Sequence, residues 1–274
     1  MPLLHHKIMI VLILERKAGD FVAKTIAFAN QKGGVGKTTS AINIASALGI
    51  AGKRTLLIDF DPQGNASSGV GIRKEQAKIT VYDVLIGRNR ASGAILHTEY
   101  QNLDVMPSGI DLAAAELELA DLDNRQNRLK EPLSEIADRY DYILIDCPPA
   151  LGMLTVNALT AANGVIIPMQ CEYFSLEGLA QIMMTIKQVK KLYNPTLALT
   201  GILVTMYNGR LNLSIQVLDE LKKYYADKLF SVAVTRNVRL SEAPSYGMPI
   251  QYYDKYAKGT SDYDKIAAEL MERI

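Results

Sequence analysis

A glycine-rich segment between two strongly patterned stretches constrains this chain more than any other feature. Residues 30–39 read Asn-Gln-Lys-Gly-Gly-Val-Gly-Lys-Thr-Thr. The run Thr25–Asn30 reads as a strand, while Lys37–Ala51 has apolar residues at helical spacing and is followed by Gly52, a typical C-cap. A strand, a glycine-rich turn and a helix in direct succession are typical of a phosphate-binding loop. The segment therefore predicts an α/β fold built around such a loop.

Short β-rich runs and helical stretches alternate along the rest of the chain. Further strands are predicted at Thr55–Phe60, Leu103–Met106, Tyr142–Asp146, Val165–Pro168, Leu199–Thr205 and Ser231–Thr235, and helices at Leu176–Tyr193, Leu213–Tyr225 and Tyr263–Arg273. We expect several short helices in the less regular residues 64–130. This alternation predicts an α/β fold with a single doubly wound, mostly parallel sheet and helices on both faces. It would occupy residues 24–274, after an N-terminal extension of undetermined structure, residues 1–23.

Composition narrows the functional classes. Of the 274 residues 49% are hydrophobic, which is enough for a substantial core. The formal net charge is only +1, so any contact with nucleic acid has to come from local basic residues. The two cysteines, Cys147 and Cys171, form no CxxC pair, which argues against a disulfide framework and fits a reducing cytoplasm.

An apolar run, Ile8–Leu14, stands near the start of the chain behind two histidines and a lysine. It is shorter than the roughly 20 residues that cross a bilayer, so no stable membrane anchor is expected. Its length matches a signal-peptide core of about 7–15 residues, but Glu15-Arg16-Lys17 follow without a small-residue cleavage site. An additional edge strand, a loose tail or a translation start at Met9 would each also account for the run.

The glycine-rich segment has the residue types that phosphate binding requires. Gly33, Gly34 and Gly36 allow backbone N–H groups to turn inward around phosphate oxygens. Lys37 is placed to contact the β- and γ-phosphates and the Thr38 hydroxyl to bind Mg²⁺, while the following helix directs its positive end at the phosphates. A bound nucleotide with Mg²⁺ is therefore predicted. The alternative is a glycine-rich turn with incidental lysines.

Acidic residues end two of the predicted strands. Asp59 and Asp61 lie two residues apart, so both face one site if the strand persists that far. Asp146 ends the apolar run YILID, a pattern typical of a carboxylate that holds Mg²⁺ through water. With Thr38, Asp59 and Asp146 are the predicted metal-site residues; the alternative for Asp59 and Asp61 is a structural cap on the strand end. Cys147 follows a buried strand and is interpreted as a packing residue.

Several blocks along the chain together resemble the ParA/Soj family of partitioning ATPases. They are KGGVGKTT, LLIDFDPQGNAS, YILIDCPP, GVIIPMQCEYFSLEGL, GILVTMYNGR and RNVRLSEAPSYG, in the family's order from about Lys24 onward. KGGVGKTT is similar to the deviant Walker A loop of the ParA/MinD superfamily, with Gln31 in place of the usual first glycine and Lys32 as an extra lysine. The resemblance implies an ATPase that uses ATP and Mg²⁺. The implied nucleotide-binding residues are Lys32, Gly33, Gly34, Val35, Gly36, Lys37, Thr38, Thr39 and Asn237.

The resemblance also implies roles for individual residues. Lys32 would reach across a dimer interface to the partner's nucleotide, as an arginine finger supplied in trans does, while Lys37 serves the phosphates of its own subunit. Asp61 would position the attacking water. Lys32, Lys37 and Asp61 are therefore the predicted catalytic residues. Asn237 would bind adenine, because an amide both donates to and accepts from a base edge.

Arginines in the C-terminal third match positions at which Soj-like proteins bind DNA without sequence preference. Arg210 and Arg239 are the principal predicted DNA contacts, since a planar guanidinium pairs with phosphate oxygens. Acidic residues are interleaved, so a solvated surface of mixed charge is the alternative. Weaker candidates for DNA contact are Arg236, Lys222, Lys223 and Lys228.

Two positions depart from the pattern of the family. Met248 stands where the family often has lysine, and Thr235 where it often has proline. Without a lysine at position 248, one basic contact is missing. Without a proline at position 235, the backbone contact to adenine changes.

The implied function is ATP-dependent partitioning of a chromosome or plasmid. An ATP-induced homodimer would bind double-stranded DNA on the nucleoid, in the cytoplasm. Hydrolysis, slow alone and stimulated by a ParB-type centromere-binding partner, would release it.

Two different functional classes compete with partitioning. One is a MinD-type regulator recruited to membranes, which the short, non-basic C-terminus disfavours. The second is a metabolic ligase or reductase that uses the same loop. A nitrogenase-type iron protein is disfavoured because Cys147 lies inside the YILIDCPP block, and a plasmid protein with an operator-binding domain because few residues precede Lys32.

Overall fold

One sheet organises the computed structural model, which describes residues 23–274; the run Ile8–Leu14 and the interpretations of it lie outside the described residues. The strands are β1 Lys24–Phe28, β2 Thr55–Asp59, β3 Leu96–His97, β4 Leu103–Met106, β5 Tyr142–Asp146, β6 Gly164–Gln170 and β7 Ala198–Thr205. They lie in the order β3-β4-β2-β5-β1-β6-β7. All neighbouring pairs are parallel except β3 and β4. The predicted single, mostly parallel sheet is confirmed.

Helices connect the strands. They are α1 Lys37–Ile50, α2 Asn65–Gly69, α3 Val81–Leu85, α4 Leu112–Glu118, α5 Lys130–Ser134, α6 Met153–Ala161, α7 Ser175–Leu192, α8 Asn212–Tyr225, α9 Val238–Glu242, α10 Ile250–Tyr253 and α11 Lys258–Arg273, with 3-10 turns at Ala91–Ala94, Arg125–Asn127, Ala137–Arg139 and Ala243–Tyr246. The short helices expected within residues 64–130 are present. No helix among the residues described is long and apolar enough to cross a membrane.

Apolar layers cover both faces of the sheet. On one face, Ile44 of α1 and Leu270 of α11 belong to the same buried cluster as Leu57 of β2. On the other, Ile182 of α7 packs in a cluster with Ile58 of β2. Strands buried on both faces need apolar side chains at nearly every position. This explains why the runs TLLID and YILID are fully buried and were recognisable in the sequence.

Most predicted element boundaries agree with the structure. The strands at Leu103–Met106 and Tyr142–Asp146 are confirmed to the residue. The predicted helix Tyr263–Arg273 is the second part of the longer α11, Lys258–Arg273. The two-residue β3 was not predicted, because so short an edge strand has no periodicity to read.

The strand predicted at Ser231–Thr235 is wrong. In this part of the chain two isolated bridges, Ile202 with Leu229 and Tyr207 with Thr235, stand in place of a ladder. Phe230 and Val234, four residues apart, donate from their backbone N–H groups to β7 carbonyl oxygens that are only two residues apart. The extra residues therefore bulge away from β7, and the Ser231 N–H donates to the Glu269 carboxylate of α11 at 2.9 Å.

The sheet order decides where a ligand can bind. β1 lies between β5 and β6, and the carboxyl ends of the parallel strands meet along one edge. In open sheets of this kind, ligands bind in the crevice outside the carboxyl ends, where the strand order reverses. The glycine-rich segment follows β1 and lies at this place.

Candidate nucleotide-binding site

The glycine-rich loop has the backbone shape of a phosphate cradle. Gly34 and Gly36 adopt left-handed conformations, with φ of 71° and 82°. Residues with a Cβ rarely adopt this conformation, so these two positions require glycine. The N-cap of α1 is Gly36, which has no side chain that could cap the helix. The first N–H groups of α1 are therefore available to an anion such as a phosphate.

Side chains from neighbouring strand ends hold this loop in place. The Thr205 hydroxyl donates to the Val35 carbonyl oxygen at 2.7 Å, and the Gln170 amide nitrogen donates to the Gly34 carbonyl oxygen at 2.9 Å. Thr205 ends β7 and Gln170 ends β6. Sequence reasoning missed both residues. The available signal was their position at carboxyl ends of parallel strands, which converge on one edge of the sheet.

Lys37 lies buried over the loop. Its ammonium nitrogen donates to the Lys32 carbonyl oxygen at 3.1 Å, inside the curve that a phosphate would occupy. Burial lowers the pKa of Lys37, while the nearby acidic side chains, Asp146 foremost, act in the opposite direction. A cation held by burial in this position stabilises negative charge more strongly than an exposed one does.

Asp59 and Asp146 end adjacent strands and are register partners, but their surroundings differ. Asp59 is fully buried and accepts hydrogen bonds from the Ser67 N–H and hydroxyl, both at 2.7 Å, and from the Asp61 N–H at 3.3 Å. Burial raises its pKa to about 6, although these hydrogen bonds oppose the shift. Its oxygens thus support the loop after β2, whereas its predicted metal contact stays a prediction.

Asp146 has the opposite character. Both carboxylate oxygens are buried, and neither makes a hydrogen bond within 3.5 Å among residues 23–274, although the Thr38 hydroxyl lies close enough to lower the pKa of Asp146. Burial and the charge of Asp59 raise its pKa well above the usual range, against the influence of Thr38 and Lys37. A buried carboxylate without partners fits a cation or its water shell.

The residues present fit a magnesium ion that is also held by phosphates. No group of three or more His, Cys, Asp or Glu side chains gathers within the described part of the chain. Magnesium needs only one or two carboxylates when substrate phosphates and water complete its coordination. Of the three predicted metal-site residues, Thr38 and Asp146 have the chemistry that this requirement calls for, and their contact with the metal stays a prediction.

Asp61 and Cys147 flank the same crevice. Asp61 is 9% exposed, and its carboxylate accepts a hydrogen bond from the Gln63 N–H at 3.0 Å, which orders the turn after β2. It also lies close enough to Lys37 to affect its pKa. Cys147 is buried, and burial raises the pKa of its thiol, which agrees with its interpretation as a packing residue.

Asn237 lies beside the loop, in the wall of a cavity of about 260 Å³. Its carbonyl oxygen accepts a hydrogen bond from the Arg239 N–H at 2.9 Å and so caps α9. The amide nitrogen is then the group that can contact a base. The cavity is lined by Gly36, Thr39, Thr205, Met206, Val234, Thr235, Arg236, Asn237, Leu240, Ser241, Pro244 and Tyr263.

Met206 is a wall residue that no sequence pattern indicated. Its φ of 49° is left-handed although it is not glycine, and such backbone strain is concentrated at functional sites. Met206 also lines a second, larger cavity of about 610 Å³ together with Arg210 and Arg236.

The three predicted DNA-contacting arginines do not form one cluster. Arg210 and Arg236 are exposed and line the larger cavity, whereas Arg239 is absent from its lining. The Arg239 guanidinium instead forms ion pairs with Glu242 at 3.0 Å and with Asp254 at 3.5 Å. The mixed-charge alternative therefore applies to Arg239 more than to the other two.

A phosphate cradle after β1, a buried lysine over it and an unpaired carboxylate on the next strand define a P-loop nucleotide hydrolase. A family model described as "AAA domain" matches residues 23–199. The sporulation initiation inhibitor protein Soj of Bacillus subtilis is 50% identical over 249 residues, 91% of this chain and 98% of Soj. The chromosome partitioning protein ParA of Myxococcus xanthus is 51% identical, covering 92% of this chain and 89% of that protein. The chain belongs to the Soj/ParA family of chromosome-partitioning ATPases.

Solved structures share the fold and contain nucleotides. One, the cobyrinic acid a,c-diamide synthase of Mycobacterium smegmatis with bound ATP analogue and magnesium, has a TM-score of 0.80 and 35% identity, covering 92% of this chain and 95% of that one. Another, a putative plasmid partition protein of Borrelia burgdorferi bound to AMPPNP, has a TM-score of 0.80 and 26% identity, covering 92% of this chain and 100% of that one. The resemblance stated from the sequence blocks is therefore confirmed.

Proposed function

We propose that this protein partitions DNA through an ATP-bound homodimer that binds duplex DNA without sequence preference and releases it on hydrolysis. The proposal rests on one observation: the two lysines of the phosphate loop differ in burial. Lys37 is buried over the phosphate cradle, whereas the Lys32 side chain is half-exposed at its rim. The Lys32 ammonium group pairs with the Glu172 carboxylate of its own chain, but at the rim it is accessible to a nucleotide held by a second subunit.

The residues of the cradle would hold ATP, with Thr38 and Asp146 at the Mg²⁺ position. When bound, Mg²⁺ neutralises charge that develops on the phosphates. Lys37 would bind the phosphates in its own subunit, Lys32 those of the partner, and Asp61 would orient the attacking water. Asn237 would donate from its amide nitrogen to the base.

Arg210, Arg236 and Arg239 would form the DNA-binding surface. Binding without sequence preference is typically about 10⁻⁴ to 10⁻⁶ M and weakens steeply with salt. A dimer doubles the phosphate contacts, so it stays bound where a monomer dissociates. The three lysines that are weaker candidates are partly neutralised: Lys222 pairs with Asp219 at 3.7 Å, Lys223 with Glu220 at 3.0 Å and Lys228 with Asp227 at 3.4 Å.

Hydrolysis would reset the cycle. We expect it to be slow for the protein alone and faster with a ParB-type centromere-binding partner, which the kinship with partitioning ATPases supports. Binding to DNA would place the protein on the nucleoid, in the cytoplasm.

A second candidate function is ATP-dependent amidation of a small carboxylic acid. It is favoured by the likeness to the solved diamide synthase, at 34–35% identity over most of both chains. The higher identity to Soj and ParA, 50% and 51%, favours partitioning. A synthase would hydrolyse ATP only with its small-molecule acceptor, and DNA would have no effect.

The decisive experiment measures binding to arbitrary duplex DNA by the Asp61→Ala protein with ATP, with ADP and without nucleotide. We expect binding with ATP alone, because Asp61→Ala retains ATP and keeps the dimer assembled. Arg210→Ala and Arg239→Ala should weaken it and reduce the salt dependence, each by about one phosphate contact per subunit.

Lys222→Ala is the matched control, since Lys222, like Arg239, is an exposed cation paired with an acidic residue but is only a weaker candidate for DNA contact. It should leave DNA binding close to that of the parent protein. Absence of DNA binding in every nucleotide state at low salt would contradict the proposal and favour the synthase.

A further inference from the structure

The QCEYFSLEGL block, residues 170–179, runs from the last residue of β6 through the loop 171–174 into α7. Apart from the support that Gln170 gives the phosphate loop, the chemistry of the nucleotide site gives this block no role. Its side chains contact the phosphate loop at two points. Gln170 donates to the Gly34 carbonyl oxygen at 2.9 Å. Two residues later, the Glu172 carboxylate forms an ion pair with the Lys32 ammonium group of the same chain.

The Lys32 backbone is fixed while its side chain is free to move. The Lys32 N–H donates to the Asn30 side-chain oxygen at 3.1 Å, and its carbonyl oxygen accepts from Lys37 at 3.1 Å. The Lys32 side chain is 41% exposed and that of Glu172 52%, so neither is locked by packing. The ammonium position is therefore set by whichever anion attracts it most.

We propose that Glu172 is a positioning residue that holds Lys32 within its own subunit, and that pairing of two ATP-bound subunits has to break this contact. The proposal rests on the proposed function, in which Lys32 contacts the partner's nucleotide. Glu172 and that nucleotide then compete for one cation. Glu172 therefore opposes pairing in both nucleotide states, and ATP, which carries more negative charge than ADP, draws Lys32 away from Glu172 more strongly than ADP does.

The strength of the contact sets the size of the effect. Exposed ion pairs are worth about 0.2–1 kcal/mol, which corresponds to a factor of about 1.4–5 in an equilibrium constant. Each dimer breaks two such pairs. Removing the Glu172 charge should therefore lower the dimer dissociation constant by roughly 2- to 30-fold.

The test compares Glu172→Gln, Glu172→Asp and Glu177→Gln with the parent chain. Glu177 is the matched control, because it is exposed, lies five residues further on in α7 and loses the same charge. Sedimentation equilibrium with a non-hydrolysable ATP analogue measures the dissociation constant. We expect tighter pairing for Glu172→Gln, a return towards the parent for Glu172→Asp, and no change for Glu177→Gln.

A second measurement reports on the ion pair without any dimer. Acetylation of Lys32 at low conversion, without nucleotide and quantified by mass spectrometry, should be about 2- to 5-fold faster in Glu172→Gln than in Glu177→Gln, because a side chain released from the ion pair is more accessible to the reagent. Equally fast acetylation in both variants would show that Glu172 does not hold the Lys32 side chain, and the proposal would be wrong. Weaker pairing of Glu172→Gln overturns the proposal too, since Glu172 would then contact the partner.

The two proposals fail in distinguishable ways. If the parent chain stays monomeric with the analogue although Lys32 acetylation responds to Glu172→Gln, the proposed dimer is wrong and the role of Glu172 falls with it. If the parent chain forms dimers but Glu172→Gln behaves as Glu177→Gln does, only the inference about Glu172 is wrong.

Discussion

At the scale of single residues, two aspartates on adjacent strand ends show how surroundings divide one residue type between two tasks. Asp59 uses its oxygens to bind Ser67 and Asp61, so it maintains the loop after β2. Asp146 has no such partner among the described residues and is therefore available to a cation. Both residues are aspartates, and their hydrogen bonds determine which of the two roles each one has.

We predict that the asparagine variants of these two aspartates separate stability from activity. Asp59→Asn should lose about 1–3 kcal/mol of unfolding free energy, because its amide nitrogen cannot accept the hydrogen bonds that Asp59 accepts. Asp146→Asn should cost less than about 1 kcal/mol, since it loses no hydrogen bond and relieves repulsion from Asp59. Magnesium-dependent ATPase activity should nevertheless fall about 10–100-fold.

Urea unfolding in EDTA and steady-state ATPase assays measure the two quantities. The opposite order of stability, with Asp146→Asn the more damaged variant, would contradict this assignment.

At the scale of elements, contacts with distant parts of the chain override local preferences. Gly49 lies inside α1, where glycine is less favourable than alanine by about 1 kcal/mol. A Cβ at this position would overlap the Gln101 carbonyl oxygen of the loop before β4. Glycine is therefore required at this position of the helix, because only a residue without a Cβ lets the loop approach so closely.

We predict opposite effects for alanine at two helical glycines. Gly49→Ala should destabilise the protein by about 1–3 kcal/mol, because overlap with backbone outweighs the gain in helix propensity. Gly178→Ala in α7 is the matched control, since its Cβ would meet only the Asn30 side chain at 4.0 Å. It should be neutral or stabilising by up to about 1 kcal/mol. Thermal unfolding of both variants measures the difference, and equal effects would contradict the argument.

The segment that was wrongly predicted as a strand is held by α11. Glu269 accepts hydrogen bonds from the Ser231 N–H and hydroxyl and forms an ion pair with Arg273. Burial alone would raise the pKa of Glu269, but Ser231 and Arg273 outweigh it and lower the pKa below its usual value near 4.5. The stabilisation is thus present above the unfolded-state pKa and is lost as the pH falls through the lower folded-state pKa.

Glu269→Gln should therefore lower the unfolding free energy by about 1–2 kcal/mol at pH 7. The difference from the parent chain should shrink below about pH 4.5, where the parent also loses the charge. Glu272→Gln, an exposed neighbour on α11, is the control and should show little effect. Chemical unfolding across pH 3–7 measures the unfolding free energies of both variants. If Glu269→Gln lost the same free energy at every pH, the charge of Glu269 would not contribute to stability.

At the scale of the whole molecule, the site exists only because the sheet brings distant segments to one edge. The cradle follows β1, its supports end β6 and β7, and the unpaired carboxylate ends β5. A ligand that fills this crevice joins all of these strands. Its binding should therefore stabilise the native molecule as a unit.

We predict that Mg²⁺ with ATP raises the unfolding free energy by about 2.7 kcal/mol at a ligand concentration of one hundred times its dissociation constant. For a chain of this size the melting temperature should rise by about 5–10 °C. EDTA should remove part of the shift in the parent chain but not in Asp146→Asn. A shift of equal size in Asp146→Asn, with equal sensitivity to EDTA, would place the metal elsewhere.

Local chemistry explains what the amino-acid sequence determined by itself. A phosphate loop needs glycines, a lysine and a hydroxyl in one short segment, and doubly buried strands need continuous apolar runs, so the loop, the parallel sheet and the aspartate positions could all be predicted. The blocks that resemble ParA/Soj were likewise readable without coordinates. These features depend on residues that are neighbours in the chain.

Only the tertiary structure decided the features that depend on residues far apart. Gln170 and Thr205 support the loop across more than 130 residues of sequence. The residues after Phe230 bulge from β7 because α11 captures the Ser231 N–H, although their composition is that of a strand. The pairing of Lys32 with Glu172 is also long-range. Side-chain contacts act over only a few ångströms, so the packing of whole elements decides which distant groups meet. Periodicity in the sequence carries no information about such partners.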